Sequence, residues 1–458
     1  MSPPPPPLQR LLLASASVWL CAGGPGLAAA LPALVPCQAG GRAGRWGLCT
    51  SSAGGTLAPD AKPVTLRGSN YIRLGGDLTS GCVGYHTTFD EGVYNRTRYL
   101  DAFQAMHGQG FNIMRVFLDE RPGCGIGGDV SSTEPLDAEW LNRLAQFVSD
   151  AEDHGMYTLV TMVYPVNNAY FRNVTSQVPL PPEWENVGGW NAPFLTERGH
   201  TAYATYGKEL GKGLQARLAP AKQRAILISL QNEFFLQGDI FPFSSHNTTV
   251  TMADGIAYNM AEPAQRQQAA DASTNLWARL TRKAIREHLP ESMVTVGVFT
   301  FDAVGKDGPN GLLLEGCDPA VPPSDPEKHV DCRFPARPLK LAGAGLDFLD
   351  VHIYQADGTA PALAVNLKTV EWDQIPKATP IVMGEFGCNA NWYPNASLCS
   401  PHVRRLQVSS CAAGFSSWLF WTYDSNDVQP DWYGMVDDGN AIGSVLAPTS
   451  NPDPCKEA

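Results

Sequence analysis

Positive charge is scarce in this chain. Lys and Arg number 33 against 45 Asp and Glu, giving a formal net charge of −12 over 458 residues. That balance argues against a polyanionic partner such as nucleic acid. A neutral ligand, for instance a neutral polysaccharide, is compatible with it. There is no CxxC pair and no clustered His/Cys set, so no zinc centre is expected. Gly68 to Asn70, after the first expected strand, is not the glycine-rich turn of a nucleotide site. No expected strand ends in lysine, which removes a Schiff-base lyase. No internal repeat and no second domain can be discerned. Past the N-terminus, no run is apolar enough for the roughly 20 residues a membrane span needs. No cofactor is expected.

Hydrophobic residues make up 44% and charged residues 17%, which is the balance of a globular protein. At the N-terminus Arg10 precedes an apolar run, LLLASASVWLCA, and the small residues Ala28, Ala29 and Ala30 follow. This is the pattern of a signal peptide over residues 1–30. Gly23, Gly24 and Pro25 cut the run too short for an anchor. A secreted, extracellular protein with no membrane association in its mature form is expected. Of 11 cysteines, Cys21 falls in the peptide and leaves an even number for disulfides. Short spacings suggest Cys37 with Cys49, Cys317 with Cys332, and Cys388 with Cys399, although spacing alone does not fix connectivity. Sequons at Asn95, Asn173, Asn247 and Asn395 are expected on the surface, as glycosylation sites. A monomer is assumed.

Residues 31–62 read as a loop or small hairpin. From there apolar runs of strand length alternate with helical periodicity. Expected strands are Val64–Ile72, Phe111–Leu118, Tyr157–Tyr164, Ala225–Glu233, Val294–Thr300, Leu346–Tyr354, Thr379–Glu385 and Phe415–Asp424. Expected helices include Tyr94–His107, Asp137–His154, Glu197–Leu218, Ala264–His288 and Pro401–Ala413, with the last helix of the set missing or very short. Eight strand–helix units in one run predict a single-domain α/β fold, a (β/α)8 TIM barrel over residues 63–440, with a tail at 441–458.

In such barrels the chemistry sits at the carboxyl ends of strands. Two expected strands end in carboxylates: AILISLQNE ends in Asn232-Glu233, and TPIVMGEFG carries Glu385 between Gly384 and Gly387. Either glutamate alone could be an ordinary loop carboxylate. Both together, at the ends of the fourth and seventh strands, fit the pair a retaining glycosidase needs. The flanking glycines would let chain or substrate approach closely. A lone Arg115 in the apolar IMRVF is aimed at a site more readily than at a surface ion pair. Glu183 and Glu185 are rival carboxylates, but neither ends a strand.

This order of motifs resembles glycoside hydrolase family 5, the cellulase and mannanase family, over about residues 60–440. The resemblance implies that Glu233 is the acid/base and Glu385 the nucleophile. It implies that Arg115 keeps Glu385 ionised, that Asn232, His352 and Tyr354 (in VHIY) bind substrate or nucleophile, and that Trp421 (in LFWTYD) is a platform under the sugar. Taken alone, His352 and Tyr354 could be satisfied core groups and Trp421 ordinary packing. One stretch departs from the family. Where many members carry a histidine after strand 3, this chain reads MVYPVNNAY. There Asn167 or Asn168 is a candidate to replace that polar contact, a pattern closer to mannanase-type members, and Asn70 and Tyr71 after strand 1 are further candidates to reach the site. Trp184 and Trp190 extend the cleft or pack their loop. The implied activity is hydrolysis of a β-linked polysaccharide or oligosaccharide, a β-mannan or β-glucan, by double displacement. A carbohydrate-binding pseudoenzyme on the same barrel and a transglycosylase using the same two glutamates are the alternatives.

Overall fold

The computed structural model describes residues 30–51, 61–75, 86–306, 331–355, 358–424 and 431–456. The expected signal peptide, apart from its last residue, and Cys317 lie outside them.

The barrel strands are β1 (Arg67–Asn70), β2 (Ile113–Phe117), β3 (Tyr157–Thr161), β4 (Ile226–Ser229), β5 (Met293–Thr295 and Gly297–Phe299), β6 (Leu349–His352), β7 (Ile381–Asn389) and β8 (Ser417–Trp421). All pair in parallel with their neighbours, and β8 pairs with β1. The ring closes through β5. Its first half pairs with β4 and its second half with β6, with Val296 between them. The expected (β/α)8 barrel is the observed fold.

The helices that follow the strands are α1 (Arg96–Gly108), α2 (Ala138–Asp153), α3 (Glu197–Arg217), α4 (Pro263–Arg286), α5 (Pro338–Ala342), α6 (Ala360–Thr369), α7 (Ala396–Ala412) and α8 (Asp437–Leu446). Local chemistry sets their ends. Asp137 caps α2 by accepting from the Trp140 N–H, a contact that typically contributes about 1 kcal/mol. Trp140, Leu141, Leu144, Phe147 and Val148 then form its buried stripe. Helix α7 starts at Ala396, capped by Asn395, and not at Pro401 as expected. Pro401 has no N–H for the Ser397 carbonyl, and the Ser400 hydroxyl donates to that carbonyl instead, at 3.0 Å. In α8 the first turn is left-handed at Asp438, Gly439 and Asn440, so only its second half is regular helix.

Strand 1 is shorter than its apolar run suggested. Pro63–Val64 belongs to a separate antiparallel sheet with Leu34–Cys37 and Gly47–Thr50. Leu34 and Leu48 of that sheet pack with Leu66, Ile113, Leu227, Val382 and Leu419, at the amino-terminal ends of the barrel strands. Leu34–Cys37 and Gly47–Thr50 therefore cover the end of the barrel opposite the carboxyl ends. Cys37–Cys49 and Cys388–Cys399 are bonded as expected. Cys332 is also disulfide-bonded. Cys411–Cys455 was not foreseen, and it ties the C-terminal tail to α7. Among the described residues no helix is long and apolar enough to cross a membrane.

Candidate active site

Glu385 does not sit at the end of a regular strand. Asp350 pairs with Val382 and His352 with Glu385, so two steps along β6 face three along β7. The β8 side shows the same extra residue, with Met383 opposite Trp418 and Phe386 opposite Phe420. A bulge of this kind re-aims the side chain next to it. Glu385 as a residue is only 3% exposed.

Glu233 lies just beyond β4. Backbone pairing carries on past the strand, because Gly297 N–H donates to Gln231 O at 3.0 Å and Phe234 N–H to Gly297 O at 2.9 Å. The Gln231 side chain accepts from the Asn232 N–H at 2.7 Å and donates to the Val163 carbonyl. The Glu233 side chain is 31% exposed, so it faces the cleft while Glu385 forms its floor.

A carboxylate oxygen of Glu233, one of Glu385 and a ring nitrogen of His352 all lie within 4.8 Å of one another. His352 Nδ1 is 3.0 Å from Glu233 Oε1 and 3.4 Å from Glu385 Oε2. The Tyr354 hydroxyl donates to Glu385 Oε2 at 2.7 Å. Arg115, fully buried, donates through Nη1 to Glu385 Oε1 and through Nη2 to Asn232 Oδ1 at 2.8 Å. Three such ligand atoms match a metal shell in spacing. However, a guanidinium is already bonded to one of the carboxylates, and a cation there would meet its charge, so the cluster is built as a hydrogen-bond network.

Burial pushes the Glu385 carboxyl up from the usual carboxylate range. The charges of His352 and Arg115 oppose that push, and the charge of Glu233 adds to it. Burial acts on Glu233 in the same sense, but the hydrogen bond and charge of His352 outweigh it and hold Glu233 low. These directions are the reverse of an acid at Glu233 and a nucleophile at Glu385. The hydrogen bonds point the other way. Glu385 receives a donor on each oxygen, as a carboxylate does. Glu233 receives one, on Oε1, and among the described residues its Oε2 has no partner and can carry a proton towards the cleft. Two carboxylates this close share one proton, and its place follows the donors.

The other expected residues divide. Trp421 is buried to 8% exposure, edge-on to Phe117 at 5.8 Å between ring centres, in a cluster with Ile72 and Val163. The Asn232 Oδ1 is used by Arg115, but its amide nitrogen has no partner among the described residues and remains available to a ligand. Asn70 reaches the cluster from below. It is fully buried, accepts from Arg115 at 2.9 Å and donates to the carbonyls of Gly384 and Phe420, which leaves no face for substrate. Asn168 is not brought to the cluster by any contact. It caps the helix Ala169–Ser176 through the Phe171 N–H and donates to the carbonyls of Gly127 and Glu134. The contact-making asparagine expected there is a helix cap.

Three residues of the site were not foreseen. Asp350 is fully buried beneath His352 and Arg115. The alternation of Asp350, His352 and Tyr354 along DVHIY was the available signal. Trp432 packs against Tyr354 at 4.7 Å, from a two-residue strand paired with the end of β7. Nothing in its local sequence marks that pairing. Glu120, just after β2, accepts the Val163 and Tyr164 N–H groups at 2.6 and 2.9 Å and so fixes the backbone where the family histidine would stand.

No family model matches the chain, and no curated protein matches it. Among solved structures it is similar to an exo-β-1,4-mannosidase from Opitutaceae bacterium strain TAV5, at 16% identity and TM-score 0.51, with 89% of this chain and 62% of that chain covered. It is also similar to an endo-β-1,4-mannanase from Thermotoga petrophila, at 14% identity and TM-score 0.50, with 87% and 78% covered. The chain thus spans 62% of the length of the mannosidase it matches. At these identities the likeness establishes the fold: the chain is a (β/α)8 barrel of the shape those glycosidases share.

Proposed function

We propose that the chain is a secreted retaining β-glycoside hydrolase of the glycoside hydrolase family 5 type, acting on a β-mannan or β-glucan. The observation that carries this reading is the approach of Glu233 and Glu385, with an oxygen of each inside the same 4.8 Å cluster. Retaining enzymes hold their carboxyl groups about 5–5.5 Å apart, whereas inverting ones leave about 6.5–9.5 Å for a water.

Glu385 attacks the anomeric carbon as the bond to the leaving oxygen breaks, and Glu233 gives its proton to that oxygen. The sugar is then esterified to Glu385. With the Glu385 charge gone, Glu233 stays ionised more readily and takes a proton from water. That water attacks the anomeric carbon, the ester bond breaks and Glu385 is freed. Arg115 and Tyr354 hold the departing and returning charge on Glu385. The Asn232 amide nitrogen donates to a sugar hydroxyl, and Trp421 lies under the ring. The likeness to a mannosidase barrel and a mannanase barrel favours β-mannan.

The test is release of reducing sugar from a panel of β-mannans, β-glucans and short oligosaccharides, with Glu233→Ala and Glu385→Ala beside the wild type. Activity on one class, lost in both variants, is expected. Products longer than the starting oligosaccharide would assign transfer in place of hydrolysis. A folded wild type that binds a sugar and cleaves none would replace this reading with a carbohydrate-binding pseudoenzyme.

A further inference from the structure

Asp350 is wholly buried, on β6 two residues before His352. Its Oδ1 is 3.5 Å from His352 Nε2 and its Oδ2 is 3.7 Å from Arg115 Nε, yet neither oxygen accepts a conventional hydrogen bond. Space for it is made by Gly384, where a Cβ would fall 1.6 Å from Asp350 Oδ1. A carboxylate in this position costs several kcal/mol in lost hydration unless cations compensate it. Among the described residues the cations in contact with it are Arg115 and His352, the two that also reach Glu233 and Glu385. His352 offers Nδ1 to Glu233 and Glu385 on one side and Nε2 to Asp350 on the other. Carboxyl oxygens thus face both ring nitrogens, and the negative charge of Asp350 beside Nε2 favours a second proton on the ring.

We infer that Asp350 is a positioning residue that keeps His352 as a doubly protonated imidazolium and thereby fixes one proton on the Glu233–Glu385 pair. The inference rests on the hydrolase reading for its consequence, though not for its geometry. The charges follow from the contacts. Arg115 and His352 supply two positive charges, and Asp350 cancels one. Neutrality in a buried site then leaves room for one ionised glutamate, with the other protonated, which is the resting state that double displacement starts from. The groups facing His352 are Glu233 beyond β4, Glu385 on β7, and Asp350 on its own strand; Arg115 on β2 and Tyr354 adjoin the same carboxylates. Arg333, near Glu233, is paired with Asp331 at 2.6 Å. Burial presses His352 down, but the charges of Glu385 and Asp350 carry it up to about 10.

The full chain labelled with 15N-histidine tests this, since long-range proton–nitrogen spectra report which ring nitrogens are protonated. His352→Asn assigns the signal. His352 is expected to remain an imidazolium between about pH 6 and 8, where a free imidazole titrates. A neutral His352 at about pH 7 would overturn the inference. In Asp350→Asn the titration of His352 should fall by about one to three units, and the basic limb of the kcat/KM profile should fall with it. An unchanged His352 titration in a folded Asp350→Asn would also overturn it. If that variant does not fold, the wild-type spectrum decides. A wild type inactive on every β-glycoside would end the hydrolase reading and leave the imidazolium measurement standing on its own.

Discussion

Arg115 Nη2 donates to Asn232 Oδ1 at 2.8 Å while Nη1 of the same guanidinium donates to Glu385. One planar fork on β2 therefore holds Glu385 on β7 and Asn232, beside Glu233, after β4. Lysine carries the same charge but has one nitrogen, and cannot reach both. Arg115→Lys should lower kcat by about 100-fold or more, the scale of losing a positioned donor to developing charge. Circular dichroism should stay at the wild-type level. A variant with wild-type kcat would remove Arg115 from the mechanism.

Asn168 and Asn232 should separate stability from activity. Asn168 caps a helix and donates to the buried carbonyl of Gly127 and to that of Glu134, so Asn168→Ala should cost about 1–3 kcal/mol in urea unfolding and leave kcat and KM unchanged. Asn232→Ala should do the reverse, lowering kcat/KM by about tenfold or more with little change in melting, because it removes a cleft-facing donor. Loss of activity in a stable Asn168→Ala would restore the substrate contact suggested by its sequence position.

The contrast shows what could be read from the chain. Strand-length apolar runs were enough for the barrel, because period is a local property, and the polar groups at their ends pointed to Glu233, Glu385, Arg115, His352 and Tyr354, which the fold brings into one cluster. Asn168 misled because asparagine serves a helix cap and a sugar hydroxyl with the same atoms. Asp350 was missed because a buried carboxylate is recognisable only by the cations that face it, and Arg115 is 235 residues away in the chain. Strand 1 ran too long on paper because an apolar run continues through Leu66, where the chain passes from one sheet to another.

Gly384 is a sharper case. Its sequence position beside the nucleophile suggested room for substrate or chain, but the neighbour that needs the room is the Asp350 side chain, 1.6 Å from where a Cβ would be built. Asp350 is clamped between His352 and Arg115 and cannot yield without releasing them. Gly384→Ala should therefore reduce kcat by about 100-fold or more and lower stability by about 1–3 kcal/mol. Gly188→Ala, where a Cβ meets nothing within 4 Å, is the control and should be silent. A fully active Gly384→Ala would mean that Asp350 moves freely.

Glu120 gives the pH dependence. Both amides it receives, from Val163 and Tyr164, go to the same oxygen, Oε1, which leaves Oε2 to hold a proton. Burial pushes this carboxyl up to about 8 against the pull of those amides. In the unfolded chain it loses its proton near 4.5. Between those values the folded protein binds the extra proton, so the contribution is fully present below the lower value and lost as pH rises through the higher one. The loss amounts to on the order of 5 kcal/mol at most. Glu120→Gln keeps a carbonyl for the two amides and has no proton to lose. Urea midpoints at about pH 5 and pH 8 should therefore fall more steeply for wild type than for Glu120→Gln. Parallel pH dependence in the two proteins would mean that Glu120 is ionised at its buried position, and that the end of β3 is held by a charge.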